Sequence, residues 1–163
     1  SLIINESFFK ESLEMRRLLL RGMDALITNV PGYCVCVTTA DCVPVLLYDK
    51  KQHVVAAVHA GWKGTVKHIV SHVMDHLNKM FGTQGEDVIA CIGPSISLES
   101  FEVGDEVYDA FEESGFDMSL ISMKKKETGK YHIDLWEANR IELLNAGVPA
   151  EQIEVAGMYL YSS

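Results

Sequence analysis

Short Val-rich runs broken by polar punctuation dominate the first third of the chain, and helical spacing takes over beyond them. Residues 7–21, "SFFKESLEMRRLLLR", carry apolar and charged positions in the rhythm of an amphipathic helix. "DALITNV" opens a series of strands, continued by "GYCVCVTTA", "VPVLLYD" and "HVVAAVHA" and separated by Pro-Gly, Asp-Cys and Lys-Lys. After Gly61-Trp62-Lys63-Gly64, the apolar residues Val66, Ile69, Val70, Val73, Leu77 and Met80 recur at helical spacing, with Thr65 as the expected N-cap. "DVIACIG" reads as a buried strand. A short helix is predicted over residues 105–113, and a second runs from an Asp134 cap through Asn145, ended by Gly147 and Pro149. "IEVAGMYLY" closes the pattern as a strand. Strands in a run, then strands mixed with helices, predict an α/β or α+β sandwich with helices outside the sheets.

Length and composition narrow the reading. The 163 residues are expected to form one domain with a real core, and 48% hydrophobic against 23% charged residues exclude a disordered chain. A formal charge of −9 argues against nucleic acid or an anionic membrane as partner. The basic run Lys124-Lys125-Lys126 meets Glu127 at once and reads as a solvated loop. No apolar stretch approaches the ~20 residues that span a bilayer, and charges at Glu6, Lys10, Glu11, Glu14, Arg16 and Arg17 do not suit a signal peptide. Cys34, Cys36, Cys42 and Cys91 form no CxxC pair and fall in strand-like segments. They are expected to be buried thiols or a metal ligand in a reducing compartment, hence a cytoplasmic protein.

Candidate chemistry centres on two residues. His68, His72 and His76 are four apart, a metal-binding spacing, but they fall opposite or beside the apolar stripe and read as solvated surface. His53 lies in a turn and His132 begins a short strand, both as structural residues. His59 instead ends the run "VVAAV" and is followed by "AGWKGT", where two glycines permit a sharp turn or close approach to a ligand. Cys42, 17 positions earlier (59 − 42), stands at a neighbouring strand end.

"DALITNVPG", "TADCVPVLLYD", "VAAVHAGWKGT", "CIGPSIS" and "FEVGDEV" occur in the order of the successive motifs of the YfiH/YlmD family. The chain is identified as a member of that family over about residues 24–110, and more loosely through "DLWEANRIELLNAGVPAEQIEV". The family has been called laccase-like polyphenol oxidoreductase, purine nucleoside phosphorylase and peptidoglycan editing factor. The resemblance implies a four-layer α/β/β/α sandwich and a catalytic metal, usually zinc. Its ligands would be Cys42, His59 and a third histidine from an upstream Gln-x-His motif. No histidine precedes His53 here. Lys63 stands where the family commonly has Arg, and the usual Arg-containing tail is missing at Ser163. The sequence is therefore expected to be the remainder of a longer protein, a single domain lacking N-terminal and C-terminal parts.

Three function classes follow. A thiolate and imidazoles suit zinc with one position left for water or substrate, and the resemblance points to phosphorolysis of adenosine, inosine or methylthioadenosine, with adenosine deamination as a second activity. In that reading Gly61, Lys63 and Gly64 are the candidate substrate-binding residues, holding phosphate at a helix start. The second class is a copper polyphenol oxidase, since a Cys-His-His set resembles a blue-copper centre. However, the six histidines contain no His-x-His pair. The third is a thiol hydrolase with Cys42 as nucleophile and His59 as its base, to which a cell-wall editing role would belong.

Overall fold

The computed structural model describes residues 1–158. A six-stranded mixed sheet is built from β1 (Leu2–Ile3), β2 (Ala25–Thr28), β3 (Val43–Asp49), β4 (Val54–Ala60), β5 (Val88–Ile92) and β9 (Ile153–Val155), in the order β1-β2-β4-β3-β5-β9. A smaller antiparallel sheet orders β6 (Glu102–Val103), β8 (Tyr131–Ile133) and β7 (Ser122–Lys124) as β6-β8-β7. The helices are α1 (Glu6–Lys10), α2 (Leu13–Leu20), α3 (Trp62–Val66), α4 (Ile69–Phe81), α5 (Asp105–Glu113), α6 (Met118–Ile121) and α7 (Leu135–Asn145). None of them is long and apolar enough to cross a membrane.

The centre of the sheet is the β3–β4 hairpin. Val-rich sequence favours the pleated conformation, and the register Val43↔Ala60 through Asp49↔Val54 leaves four residues in the turn. Asp49 anchors that turn, its Oδ1 accepting from the backbone N–H groups of Lys51 and Gln52 at 2.9 Å each. His53 closes it in the left-handed conformation, φ 55°.

Strand alternation then sorts the side chains. Ala25, Ile27, Val43, Val45, Leu47, Ala56, Val58, Val88, Ala90 and Ile92 share one fully buried face, packed with Val70, Val73, Met74 and Leu77 of α4 and Ala138 and Leu143 of α7. Each buried Val, Leu or Ile contributes ~1.5–3 kcal/mol relative to exposure, so this face carries most of the fold's stability. The opposite face holds Leu26, Pro44, Leu46, Tyr48, Val55, Ala57, Ile89 and Cys91, of which Leu46, Tyr48 and Ile89 are exposed. His59 belongs to this second face, as Pro44 pairs with it directly.

Four local expectations are corrected. Residues 7–21 form two helices, because Ser12 caps α2, its side chain accepting from the Met15 N–H. "GYCVCVTTA" is not a strand: Val35, Val37 and Thr39 are half-buried and Cys34, Cys36 and Thr38 exposed, so the alternation is real, but no ladder pairs it among the described residues. Cys34 and Cys36 are consequently exposed rather than buried thiols. Thr65 is not an N-cap. It lies inside α3, donating to the Gly61 carbonyl at 3.0 Å and accepting from Asn139 at 3.2 Å, while Gly61 takes the cap position. Of "IEVAGMYLY", only Ile153–Val155 is strand, and Tyr159–Tyr161 lie outside the described residues.

The helix read from Val66 to Met80 is also broken, at His68. That residue has φ 55°, the left-handed region non-glycine residues rarely adopt. Its ring compensates: Nδ1 is 2.6 Å from Glu142 Oε1, Nε2 is 3.0 Å from the Ser114 carbonyl, and Phe116 stacks on it at 5.3 Å. His68 is therefore no solvated surface residue. His72 is exposed, and His76 meets the Ser1 hydroxyl. His132 is buried, with Nδ1 at 3.0 Å from the Leu98 carbonyl. The helices read over 105–113 and from the Asp134 cap to Asn145 have those bounds in the structure.

Candidate functional site

Two strand ends and one helix start meet in a cleft of about 250 Å³ lined by Asp24, Cys42, His59, Gly61, Trp62, Lys63 and Gly64. Cys42 immediately precedes β3, His59 is the penultimate residue of β4, and Gly61 caps α3. The antiparallel register that pairs Val43 with Ala60 brings these positions side by side. All five candidates from the motifs, Cys42, His59, Gly61, Lys63 and Gly64, are thus gathered in one place. The turn expected at "GWKGT" is the first turn of α3 itself, in which Lys63 is exposed with its ammonium 5.5 Å from the Trp62 ring.

Gly61 makes the close approach possible. A methyl group at its α-carbon would lie 2.9 Å from Cys42 Sγ and 3.9 Å from His59 Cε1. The thiol and the imidazole therefore flank one point, and only a residue without a side chain leaves it clear.

Asp24 completes the arrangement, and sequence reasoning missed it. Its Oδ1 lies 3.1 Å from His59 Nδ1, and the His59 backbone N–H donates to the Asp24 carbonyl at 2.7 Å. The pairing of Ala25 with Val58 sets this up, placing Asp24 one residue before the strand and beside His59. With Nδ1 engaged by a carboxylate, Nε2 is the nitrogen left to meet a metal or substrate, the usual outer-shell arrangement of a metal-binding histidine. Burial pushes the Cys42 thiol up, and the nearby charges of Asp41 and Asp24 push it further the same way. A bare Cys42 is accordingly a neutral thiol at pH 7, and a cation beside it would reverse that preference.

The donor types fit zinc: a soft sulfur, an imidazole with its second nitrogen oriented by Asp24, and a glycine cradle between them. Their number does not complete a site. Among the described residues no group of three or more His, Cys, Asp or Glu is placed to hold a metal ion.

A family model described as multi-copper polyphenol oxidoreductase laccase matches residues 5–163. The chain belongs to this family. Family membership extends to relatives with other names. The chain is 59% identical over 160 residues to a protein of Bacteroides thetaiotaomicron named purine nucleoside phosphorylase, covering 98% of the chain and 59% of that protein. It is 42% identical over 151 residues to adenosine deaminase RL5 from an unknown prokaryotic organism, covering 93% and 57%. Two solved family folds resemble it. Bacillus licheniformis hypothetical protein YfiH superposes with a TM-score of 0.85 at 30% identity, over 97% of this chain and 59% of that one. YlmD from Geobacillus stearothermophilus gives 0.78 at 33% identity, over 85% and 51%. The family members thus share the mixed α/β fold, and the chain spans between half and three fifths of the lengths of these relatives.

Proposed function

We propose that the protein is a zinc-dependent purine nucleoside enzyme that cleaves adenosine, inosine or methylthioadenosine with phosphate to free base and ribose 1-phosphate, with adenosine deamination at the same site. The observation that carries the reading is the convergence of Cys42, His59 and Asp24 on one cleft beside Lys63. Relatives named purine nucleoside phosphorylase and adenosine deaminase support the substrate class.

Cys42 Sγ and His59 Nε2 are the groups that would hold the zinc, with at least one further donor from outside the described residues. When bound, zinc supplies a Lewis acid that activates water or polarises a leaving group. Asp24 orients the His59 ring and holds its proton on Nδ1. Lys63 presents a positive charge at the rim, where it would meet phosphate as the sugar–base bond breaks. Trp62, half-buried in the same wall, offers an aromatic surface for a purine.

The raised Cys42 thiol weighs against the hydrolase reading, which needs a thiolate for attack. The oxidase reading finds little support in the histidines: His53, His68, His76 and His132 each lie beside a partner of their own on separate elements.

The test is incubation of the protein with inosine and phosphate, in the presence of zinc. Hypoxanthine and ribose 1-phosphate are the expected products, and ribose 1-phosphate vanishes when phosphate is left out. Base release indifferent to phosphate would turn the assignment to hydrolysis, and failure to turn over any purine nucleoside would overturn it.

A further inference from the structure

Cys34 and Cys36 take no part in the proposed reaction, yet their sulfurs lie 3.7 Å apart. Both residues are exposed. They stand two apart on an extended, unpaired segment, where residues i and i+2 project to the same side. Both are free thiols, with a separation far beyond a disulfide's ~2.05 Å. It is close to the span of two thiolates on one tetrahedral ion, about 3.8 Å for metal–sulfur bonds of ~2.3 Å. Chelation therefore requires almost no movement of the backbone.

A second observation places the pair. Cys36 lines a cleft of about 330 Å³ together with Met23, Asp24, Thr38 and His59, and Asp24 and His59 also line the cleft that holds Cys42. Through Cys36 the pair thus reaches the cavity next to the proposed zinc site. Cys34 faces a separate apolar cavity of about 380 Å³ that includes Tyr33, Leu46 and Cys91.

We infer that Cys34 and Cys36 form a chelating dithiol site for a soft, thiophilic metal ion, distinct from the Cys42–His59 site and adjoining it. Two S–H bonds break as two metal–sulfur bonds form, and both protons leave to solvent. Soft thiolate pairs select soft ions, and the remaining positions on the ion are open to water or a small thiol. The inference does not depend on the nucleoside chemistry, because its readout is metal binding alone.

Cadmium titration, followed by the ultraviolet charge-transfer absorbance of cadmium–thiolate bonds, tests it. In a Cys42→Ala background the first equivalent should bring up the signal of two thiolates. Cys34→Ser and Cys36→Ser should each weaken binding at least 10-fold. Phenylarsine oxide gives an independent reading, since it joins two neighbouring thiols with loss of water. One equivalent should bind the parent protein and none either single variant. Both side chains are exposed, so the variants should melt at the parent's temperature. Cadmium affinity unchanged in the Cys34→Ser/Cys36→Ser double variant would overturn the inference. So would a Cys34→Ser variant that binds both probes like the parent, because Cys36 would then be acting alone.

Discussion

His59 and Asp24, 35 positions apart in sequence, are joined twice: ring Nδ1 to carboxylate at 3.1 Å, and backbone N–H to carbonyl at 2.7 Å. The second bond continues the β2–β4 ladder past Ala25, so the carboxylate is delivered to the ring by the sheet itself. In the proposed zinc site Asp24 would be the partner that orients His59 toward the metal.

Asp24→Asn should therefore lower zinc affinity and nucleoside turnover by ~10–100-fold, the usual cost of losing an outer-shell partner. Its melting temperature should stay within a degree or two, because Asp24 is largely exposed. Competition titration with a zinc indicator, beside the inosine assay, checks this; unchanged zinc affinity would leave Asp24 without a role at the metal.

Gly61→Ala is the steric counterpart. Gly61 has φ −70°, open to any residue, so the added methyl acts only through its 2.9 Å approach to Cys42 Sγ. The thiol must rotate away, and zinc affinity should fall about 10-fold, as for other disturbances of ligand orientation. A crystal structure of the variant with Sγ unmoved and zinc binding intact would contradict the close approach.

The four thiols should separate by role. Cys42→Ala should abolish stoichiometric zinc at the site. Half-buried Cys91→Ala should cost on the order of 1 kcal/mol in packing and leave that zinc in place. Exposed Cys34→Ala and Cys36→Ala should stay within about 0.5 kcal/mol of the parent. Urea denaturation and metal analysis of zinc bound after removal of loosely held ions decide each case.

Stability should also carry a pH signature from His68. Burial alone would pull its pKa down, but the hydrogen bond and charge of Glu142, with the Ser114 carbonyl, outweigh it and leave the net value raised. A raised folded value means that protonation favours folding. The contribution is complete below about pH 6.5, the unfolded value, and drains away as pH rises through the folded one. Denaturant midpoints for the parent and His68→Gln, taken from about pH 5.5 to 9, should converge toward the alkaline end. A difference that grows with pH would reverse the assignment.

How much of this was legible in the sequence differs by residue. The β3 and β4 spans, the α5 and α7 bounds and the Asp134 cap follow from local pattern and hold in the structure. Cys42 and His59 were visible because each borders an apolar run beside turn residues, and their motif order was specific. Asp24 was not visible. It opens the motif "DALITNVPG", but its link to His59 comes only from the β2–β4 register, which no local pattern shows. The helix breaks at Ser12 and His68 were hidden differently. Helical spacing continues across both, and the partners that hold the second break, Glu142 and Ser114, come from 74 and 46 positions away. The "GYCVCVTTA" segment shows the converse, a strand-like alternation for which no neighbouring strand is described.

The Asp49-anchored turn between β3 and β4 acts as a ruler for chemistry at the other end of the hairpin, roughly 20 Å away. Cys42 and His59 face the same cleft only while Val43 stays opposite Ala60. A slip of one residue sends alternate side chains to opposite faces. One residue gained or lost between Lys50 and His53 is therefore not a neutral change in a surface loop, however exposed those positions are. The four residues from Lys50 to His53 thus belong to the site by their number, although none of them lines it.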